Sequence, residues 1–108
     1  MKKINRVRKN QEFSTIFKSK QFYACPTMVI YVKQRKEEHA RVGISVSKKL
    51  GNAVQRNKIK RQVRMMVNKV FKFDEKFDTI ILIRDEYNNV SYEINSNNLE
   101  KLYKRVKM

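Results

Sequence analysis

The sequence predicts a small single domain of the α+β class, in which helices pack on a β-sheet. Its 108 residues suit one compact domain with a single modest core. Segments with helical spacing of apolar residues are interspersed with short segments rich in β-branched residues, which favours a sheet with packed helices over a bundle or a barrel. No linker or internal repeat divides the chain, so residues 1–108 are predicted to form one domain, with a basic arm at residues 1–9.

The first half of the chain predicts one helix and two strands. Apolar side chains at Phe13, Ile16 and Phe17 recur at i, i+3 and i+4, and Asn10 can cap this helix, which should end near Ser19. Residues 27–34, TMVIYVKQ, and residues 40–47, ARVGISVS, are typical of strands. The polar turn RKEEH joins them, which predicts a hairpin.

Alternate side chains of a strand point to opposite faces, so these two strands have two different faces. One set is wholly apolar and predicts the core face: Met28, Ile30, Val32, Ala40, Val42, Ile44 and Val46. The other set mixes small, aromatic and basic residues: Thr27, Val29, Tyr31, Lys33, Arg41, Gly43 and Ser45. This mixed face suits a ligand, and an ordinary solvated face is the equally weighted alternative.

The second helix is predicted to begin after Asn52, with Gln55 completing a capping box, and to run to about Phe71. At roughly 100° per residue it has three sides. The buried side comprises Ile59, Val63, Met66, Val67 and Val70. The basic side comprises Arg56, Asn57, Lys60, Arg61, Arg64 and Asn68. The remaining side, predicted to face solvent, comprises Lys58, Gln62, Met65 and Lys69.

The last third predicts a strand and a helix. Residues 78–85, DTIILIRD, are apolar on both faces, which is typical of an interior strand. Ser91 opens a final helix that carries Leu99, Leu102, Tyr103 and Val106. The predicted order is α, β, β, α, β, α.

The charge predicts a polyanionic partner. Lys and Arg number 26 against 10 Asp and Glu, a formal net charge of +16 that a nucleic acid would offset. No apolar run approaches the roughly 20 residues that span a bilayer, and no signal peptide follows the basic start, so we expect a cytoplasmic protein with no membrane partner. The single cysteine, Cys25, excludes an internal disulfide.

Two groups of residues are suited to RNA. Like charges four residues apart, as at Arg56, Lys60 and Arg64, destabilise a helix unless phosphates offset them. Lys48 and Lys49 lie just before the helix N-terminus, which itself attracts anions. The second group is aromatic: Phe13, Phe17 and Tyr31 could stack on single-stranded bases, although helical spacing alone favours a core role for the two phenylalanines.

The stretch RVGISVSKKLGNAVQRNKIKRQVR resembles the signature of the bacterial ribonuclease P protein component. The opening NRVRKNQEFSTIFK, the strand MVIYV, the late IILIR and the basic C-terminal helix occur in family-like order, so the resemblance covers essentially the whole chain. It implies a sheet of about four strands in the ribosomal protein S5 domain 2-like fold, with a left-handed β-α-β crossover. One departure is Lys58, where the family motif has arginine; lysine keeps the charge but loses the bidentate fork.

The resemblance also implies a function. The family's protein contributes no catalytic side chain; it assists a catalytic RNA that removes the 5′ leader of precursor tRNA with RNA-bound Mg²⁺. The expected partners are ribonuclease P RNA and precursor tRNA, with one monomeric protein per RNA. The expected RNA-binding residues are Lys48, Lys49, Arg56, Asn57, Lys58, Lys60, Arg61 and Arg64. The expected leader-binding cleft comprises Phe13, Phe17, Val29, Tyr31 and Ser45.

Two other functions are compatible with parts of the sequence. A small ribosomal protein shares the size, the charge and the basic helix, but would show no preference for a 5′ leader. An autonomous nuclease would need a carboxylate cluster or a histidine pair for its metal. His39 is the one histidine, and the acids around residues 74–86 lack ligand-like spacing, so we expect no metal site in the protein.

Overall fold

The computed structural model describes residues 5–7, 10–19 and 21–106. The elements, in chain order, are α1 (Asn10–Phe17), β1 (Phe22–Ala24), β2 (Met28–Gln34), β3 (Val42–Val46), α2 (Ala53–Val70), β4 (Phe77–Ile83) and α3 (Tyr92–Val106). Short 3-10 turns, Lys48–Leu50 and Asp85–Asn89, precede α2 and α3. All six predicted elements are present, and β1 is an addition. Asn10 is the first residue of α1, not a cap ahead of it.

The four strands form one sheet in the order β1-β2-β4-β3. β4 pairs antiparallel with β2 and parallel with β3, so the predicted hairpin of β2 and β3 is wrong. The physical reason is burial. β4 is apolar on both faces and takes the centre of the sheet, where both faces are covered, and it thereby separates two strands that are neighbours in sequence.

One face of the sheet holds the main core, together with α2 and α3. Five members of the predicted apolar set belong to this core: Met28, Ile30 and Val42 are fully buried, and Ile44 and Val46 pack against them. The other two, Val32 and Ala40, are buried as well. The predicted buried side of α2 joins them through Ile59, Val63, Met66 and Val67, and α3 contributes Leu99, Leu102 and Tyr103. The parallel strands β3 and β4 are joined through α2, and the left-handed sense of this crossover stays a prediction.

The start of α2 has the predicted capping box. The side chain of Asn52 accepts a hydrogen bond from the backbone N–H of Gln55, and the Gln55 side chain accepts one from the N–H of Asn52. The helix ends at Val70, one residue before the predicted end. Ser91 likewise accepts a hydrogen bond from the N–H of Ile94 at the start of α3. Within the described ranges, no helix is both long and apolar enough to cross a membrane.

The opposite face of the sheet carries a second, smaller cluster. Val7, Ile16 and Ile80 are buried there, so α1 packs on this face through Ile16. Residues 5–7 of the predicted arm lie beside residues 40–42 at the start of β3: the N–H of Val7 donates to the carbonyl of Val42, and the Asn5 side chain donates to the carbonyl of Ala40. The rest of the predicted arm, residues 1–4, 8 and 9, lies outside the described residues.

Candidate nucleic-acid interface

The face beneath α1 presents two rows of side chains across all four strands. Register pairs Gly43 with Ile80, Ile80 with Tyr31, and Tyr31 with Phe22. The next row on the same face contains Ser45, Leu82, Val29 and Ala24. The predicted cleft residues Val29, Tyr31 and Ser45 therefore share one face, as strand parity indicated. Val29 is only 8% exposed and lies buried in that face, whereas Tyr31 and Ser45 are half-buried.

Rings from α1 extend this face. The ring centroids of Phe13 and Phe17 are 6.3 Å apart, and Phe17 meets Tyr31 edge-on at 5.0 Å. All three side chains are half-buried against Ile16 and Ile80. Both interpretations of these rings thus have a structural basis, because they close the second cluster and still keep part of their surface open. The structure brings them together with Tyr31 in one aromatic group.

A buried ion-pair network fixes α1 to the sheet. Arg41, 8% exposed, bonds the carboxylate of Glu12 in α1 and, at 3.1 Å, that of Asp78 in β4. Burial by itself lowers the pKa of the Arg41 guanidinium, but the bonds to Glu12 and Asp78 outweigh it and raise that pKa above its ordinary value. The sequence placed Arg41 on an open mixed face; the structure buries it, because two carboxylates are available to neutralise it.

Thr27 is a second correction to the predicted mixed face. It lies just before β2 and is 2% exposed. The Asn98 side chain in α3 donates to its hydroxyl over 3.4 Å, and its carbonyl accepts from the N–H of Arg84. Thr27 therefore ties β2 to α3 and to the end of β4, and it contributes nothing to the cleft.

Gly43 lets the ring of Phe13 lie directly on the backbone of β3. A Cβ at this position would lie 2.8 Å from the Phe13 Cζ and 2.6 Å from the Ile80 Cδ1. Both distances are shorter than side-chain carbons tolerate, so any larger residue would displace the ring. The absence of a side chain at Gly43 is what opens this end of the cleft.

The predicted RNA-binding residues lie on α2 and on the 3-10 turn before it. Five of these side chains are exposed, namely Lys48, Lys49, Asn57, Lys58 and Arg61. The other three are half-buried, namely Arg56, Lys60 and Arg64. No carboxylate lies in the first turn of α2, and no ion pair among the described residues involves a cation of this helix. The positive charge of α2 is therefore free to act on an external anion.

A groove of about 270 Å³ connects the basic helix with the aromatic cleft. Lys60 and Arg64 line it from α2, Phe13 from α1, and Gly43 from β3. Arg6, beside Val42 on the edge of the sheet, adds a third cation. At the other end of the cleft, Leu82 shares a second groove of about 390 Å³ with Lys49 and Arg84. Asp85 and Glu86 line this second groove as well, so a surplus of cations flanks the aromatic face only at the end next to α2.

Not every predicted RNA-binding residue faces the cleft. Lys58 lines a separate groove with Gln55, Gln62 and Asn88, as its position off the basic side of α2 indicated. The third side of α2, predicted to face solvent, is partly covered. Gln62 accepts a hydrogen bond of 2.9 Å from the Tyr87 hydroxyl, because the 3-10 turn before α3 folds against it.

Sequence reasoning missed three residues at this interface. Phe22 is 57% exposed and its ring centroid lies 5.9 Å from that of Tyr31. Its strand has three residues, too few to show a period. Leu82 was predicted only as part of an apolar interior strand, and Arg6 only as part of the basic arm. The one usable signal was the alternation of side chains along β4, and it assigns Leu82 to this face only once the pairing with Val29 is known.

The chain is similar in sequence and in fold to known proteins. The family model described as Ribonuclease P matches residues 1–107. The ribonuclease P protein component of Bacillus velezensis is 38% identical over 109 residues, which cover 100% of this chain and 94% of that protein. The Mesoplasma florum component is 41% identical and covers 97% of each chain. A solved Staphylococcus aureus RNase P protein mutant with defective mRNA degradation activity superposes with a TM-score of 0.87 at 39% identity, covering 97% of this chain and 90% of that one. The chain therefore belongs to the ribonuclease P protein family.

Proposed function

We propose that this chain is the protein subunit of a ribonuclease P that matures the 5′ ends of tRNA in the cytoplasm. In this role one protein binds one ribonuclease P RNA through the basic side of α2, and the 5′ leader of precursor tRNA lies over the aromatic cleft. The observation that carries the proposal is the groove in which Lys60 and Arg64 meet Phe13 and Gly43. A single RNA strand in that groove would touch cations and the ring of Phe13 together.

The basic helix is suited to the backbone of a structured RNA. Arginine presents a planar fork to phosphate oxygens, lysine adds a point charge, and each neutralised phosphate releases counterions. Arg61 is exposed, and Lys60 and Arg64 are half-buried beside it, so their charges lie at the surface and their stems pack on the protein. Such packing reduces the freedom lost when a phosphate binds.

The aromatic cleft is suited to unpaired bases. Bases stack on rings regardless of their identity, so the cleft should bind a leader with little sequence preference. The half-buried rings of Phe17 and Tyr31 already hold each other edge-on, so they need little reordering to receive a base. Leaderless tRNA would leave this surface unused, which predicts that the protein favours the substrate over the product.

Hydrolysis is assigned to the RNA and its Mg²⁺, because the buried and half-buried carboxylates that pack against the sheet and α2 are already engaged. Glu12 and Asp78 neutralise Arg41. Glu75 accepts hydrogen bonds from the N–H groups of Lys72 and Phe73 and from the Tyr103 hydroxyl. The protein's contribution would be electrostatic: it lowers the repulsion between two RNAs and so raises their affinity for each other and for Mg²⁺.

Reconstitution with the RNA subunit at low Mg²⁺ tests this proposal, using precursor tRNA with and without a leader. Tyr31→Ala should weaken binding of the leader-bearing substrate and leave leaderless tRNA unchanged. Arg61→Ala should weaken assembly with the RNA subunit and reduce the slope of log affinity against log salt by about 0.7–0.9. Lys76→Ala removes the same charge from an exposed loop site and is the matched control.

Two results would contradict the proposal. One is cleavage of precursor tRNA by the protein without RNA. The other is a wild-type holoenzyme that binds leader-bearing and leaderless tRNA equally. If Tyr31→Ala weakened the binding of both tRNAs to the same extent, the rings would serve only the core, and the cleft would not be part of the RNA-binding surface.

A further inference from the structure

Phe22 is an aromatic side chain without a structural reason to be exposed. It is 57% exposed, although phenylalanine is among the residues most often buried. It lies on β1, one of the two edge strands of the sheet, directly opposite Tyr31 in the register. Its ring centroid lies 5.9 Å from that of Tyr31, at an interplanar angle of 37°. The side chain therefore continues the aromatic cleft and points to the same side.

The four rings form an unbroken series across the molecule. Successive centroid distances are 6.3 Å from Phe13 to Phe17, 5.0 Å from Phe17 to Tyr31, and 5.9 Å from Tyr31 to Phe22. The first three rings are half-buried against Ile16 and Ile80, whereas Phe22 lies outside that cluster. Packing thus accounts for the first three positions and does not account for the fourth.

The surroundings of Phe22 leave room for a flat ligand. Ala24, the next residue of β1 on this face, is small and exposed. Tyr23, between them, points to the other face, where Arg105 of α3 lies over its ring at 5.4 Å. On the cleft face, Lys33 follows Tyr31 at the next position of the same parity and is exposed, so a cation lies near enough to favour an anionic strand.

We propose that Phe22 is a further base-stacking position, which extends the single-stranded RNA track from the cleft to the free edge of β1. The occupant is an additional nucleotide of the 5′ leader, next to the one over Tyr31. This proposal rests on the proposed function, since it needs a leader in the cleft. Any base can stack on an exposed ring. The extra position would therefore increase the affinity for longer leaders without adding a base preference.

The test is the affinity of the reconstituted holoenzyme for precursor tRNAs whose leaders increase one nucleotide at a time. Phe22→Ala should reduce affinity about five- to tenfold for leaders long enough to reach β1, and should leave shorter leaders and leaderless tRNA unchanged. Phe22→Tyr keeps a ring and should behave as wild type. Phe22→Leu keeps apolar area without a ring and should behave as Phe22→Ala.

Ile94→Ala is the matched control, because Ile94 is an apolar residue, 52% exposed, on α3 away from the cleft. A Phe22→Ala holoenzyme with the wild-type dependence on leader length would overturn the proposal, and so would an equal loss with every substrate. In both cases the wild-type holoenzyme would still distinguish leader-bearing from leaderless tRNA. Loss of that distinction in the wild type would instead overturn the proposed function.

Discussion

Gly43→Ala tests whether the cleft depends on the ring of Phe13 lying on the backbone of β3. The added Cβ would lie 2.8 Å from the Phe13 Cζ and 2.6 Å from the Ile80 Cδ1. The Ile80 side chain is fully buried in β4, whereas Phe13 is half-buried on α1 and partly open to solvent. The ring of Phe13 should therefore move outward, and with it the end of the cleft next to Lys60 and Arg64.

Two opposing contributions set the size of the effect on stability. Replacing glycine by alanine in a strand interior normally gains about 0.5–1 kcal/mol, because the unfolded chain loses freedom. Overpacking by one methyl group in a well-packed site costs about 1–3 kcal/mol. Contacts this short place Gly43→Ala in the upper part of that range, so we expect a net loss of about 1–2 kcal/mol in the free energy of unfolding.

Urea denaturation of the free protein measures this loss, and a double-mutant cycle with Phe13→Ala assigns it. If the clash with Phe13 matters, Gly43→Ala should cost at least about 0.5 kcal/mol less in the Phe13→Ala background. The holoenzyme with Gly43→Ala should also lose part of its preference for leader-bearing substrate. Wild-type stability, or additive losses in the cycle, would refute the placement of Phe13 on β3.

Two further predictions concern groups buried away from the cleft. Arg41→Ala leaves Asp78, which is 2% exposed, without its guanidinium partner. In urea denaturation this variant should lose about 3–5 kcal/mol of the free energy of unfolding. The control Lys104→Ala breaks an exposed ion pair with Glu100 and should lose below about 0.5 kcal/mol. Equal losses would show that Arg41 is not held as a buried ion. Burial, with a smaller contribution from Tyr92, raises the pKa of Tyr87 to about 12, so its contribution to stability is full below the unfolded pKa of about 10 and is lost as the pH rises from there to about 12. The stability difference between wild type and Tyr87→Phe should therefore shrink across that pH range, and a constant difference would contradict the raised pKa.

The sequence predicted the elements well because each has a local cause. The capping box at Asn52 and Gln55 is a contact between residues three apart, and the apolar side of α2 follows from helical period alone. The order of the strands has no local cause. β2 and β3 are neighbours along the chain, and the placement of β4 between them depends on the total apolar surface that the finished sheet buries.

The candidate interface likewise contains some features with a local cause and others without one. Parity within β2 and β3 was sufficient to group Val29, Tyr31 and Ser45 on one face. It was not sufficient to predict that Arg41 is buried, because its two carboxylate partners, Glu12 and Asp78, come from distant parts of the chain. Phe22 was missed for a related reason, since only its pairing with Tyr31 shows which face it belongs to.

The distribution of carboxylates explains how a protein of charge +16 keeps the cations of one helix unneutralised. The buried acids neutralise Arg41 or accept backbone N–H groups after α2, and the described ion pairs join α1 to the sheet or lie within α3. None of them reaches the cations of α2. Like charges four residues apart on that helix cost about 0.2–0.5 kcal/mol each, and a single carboxylate nearby would remove the cost. It would also remove positive charge on which the proposed contact with RNA depends. The fold therefore accepts a small loss of stability in α2, and the buried network at Arg41 keeps α1 and its rings in place beside that unneutralised surface.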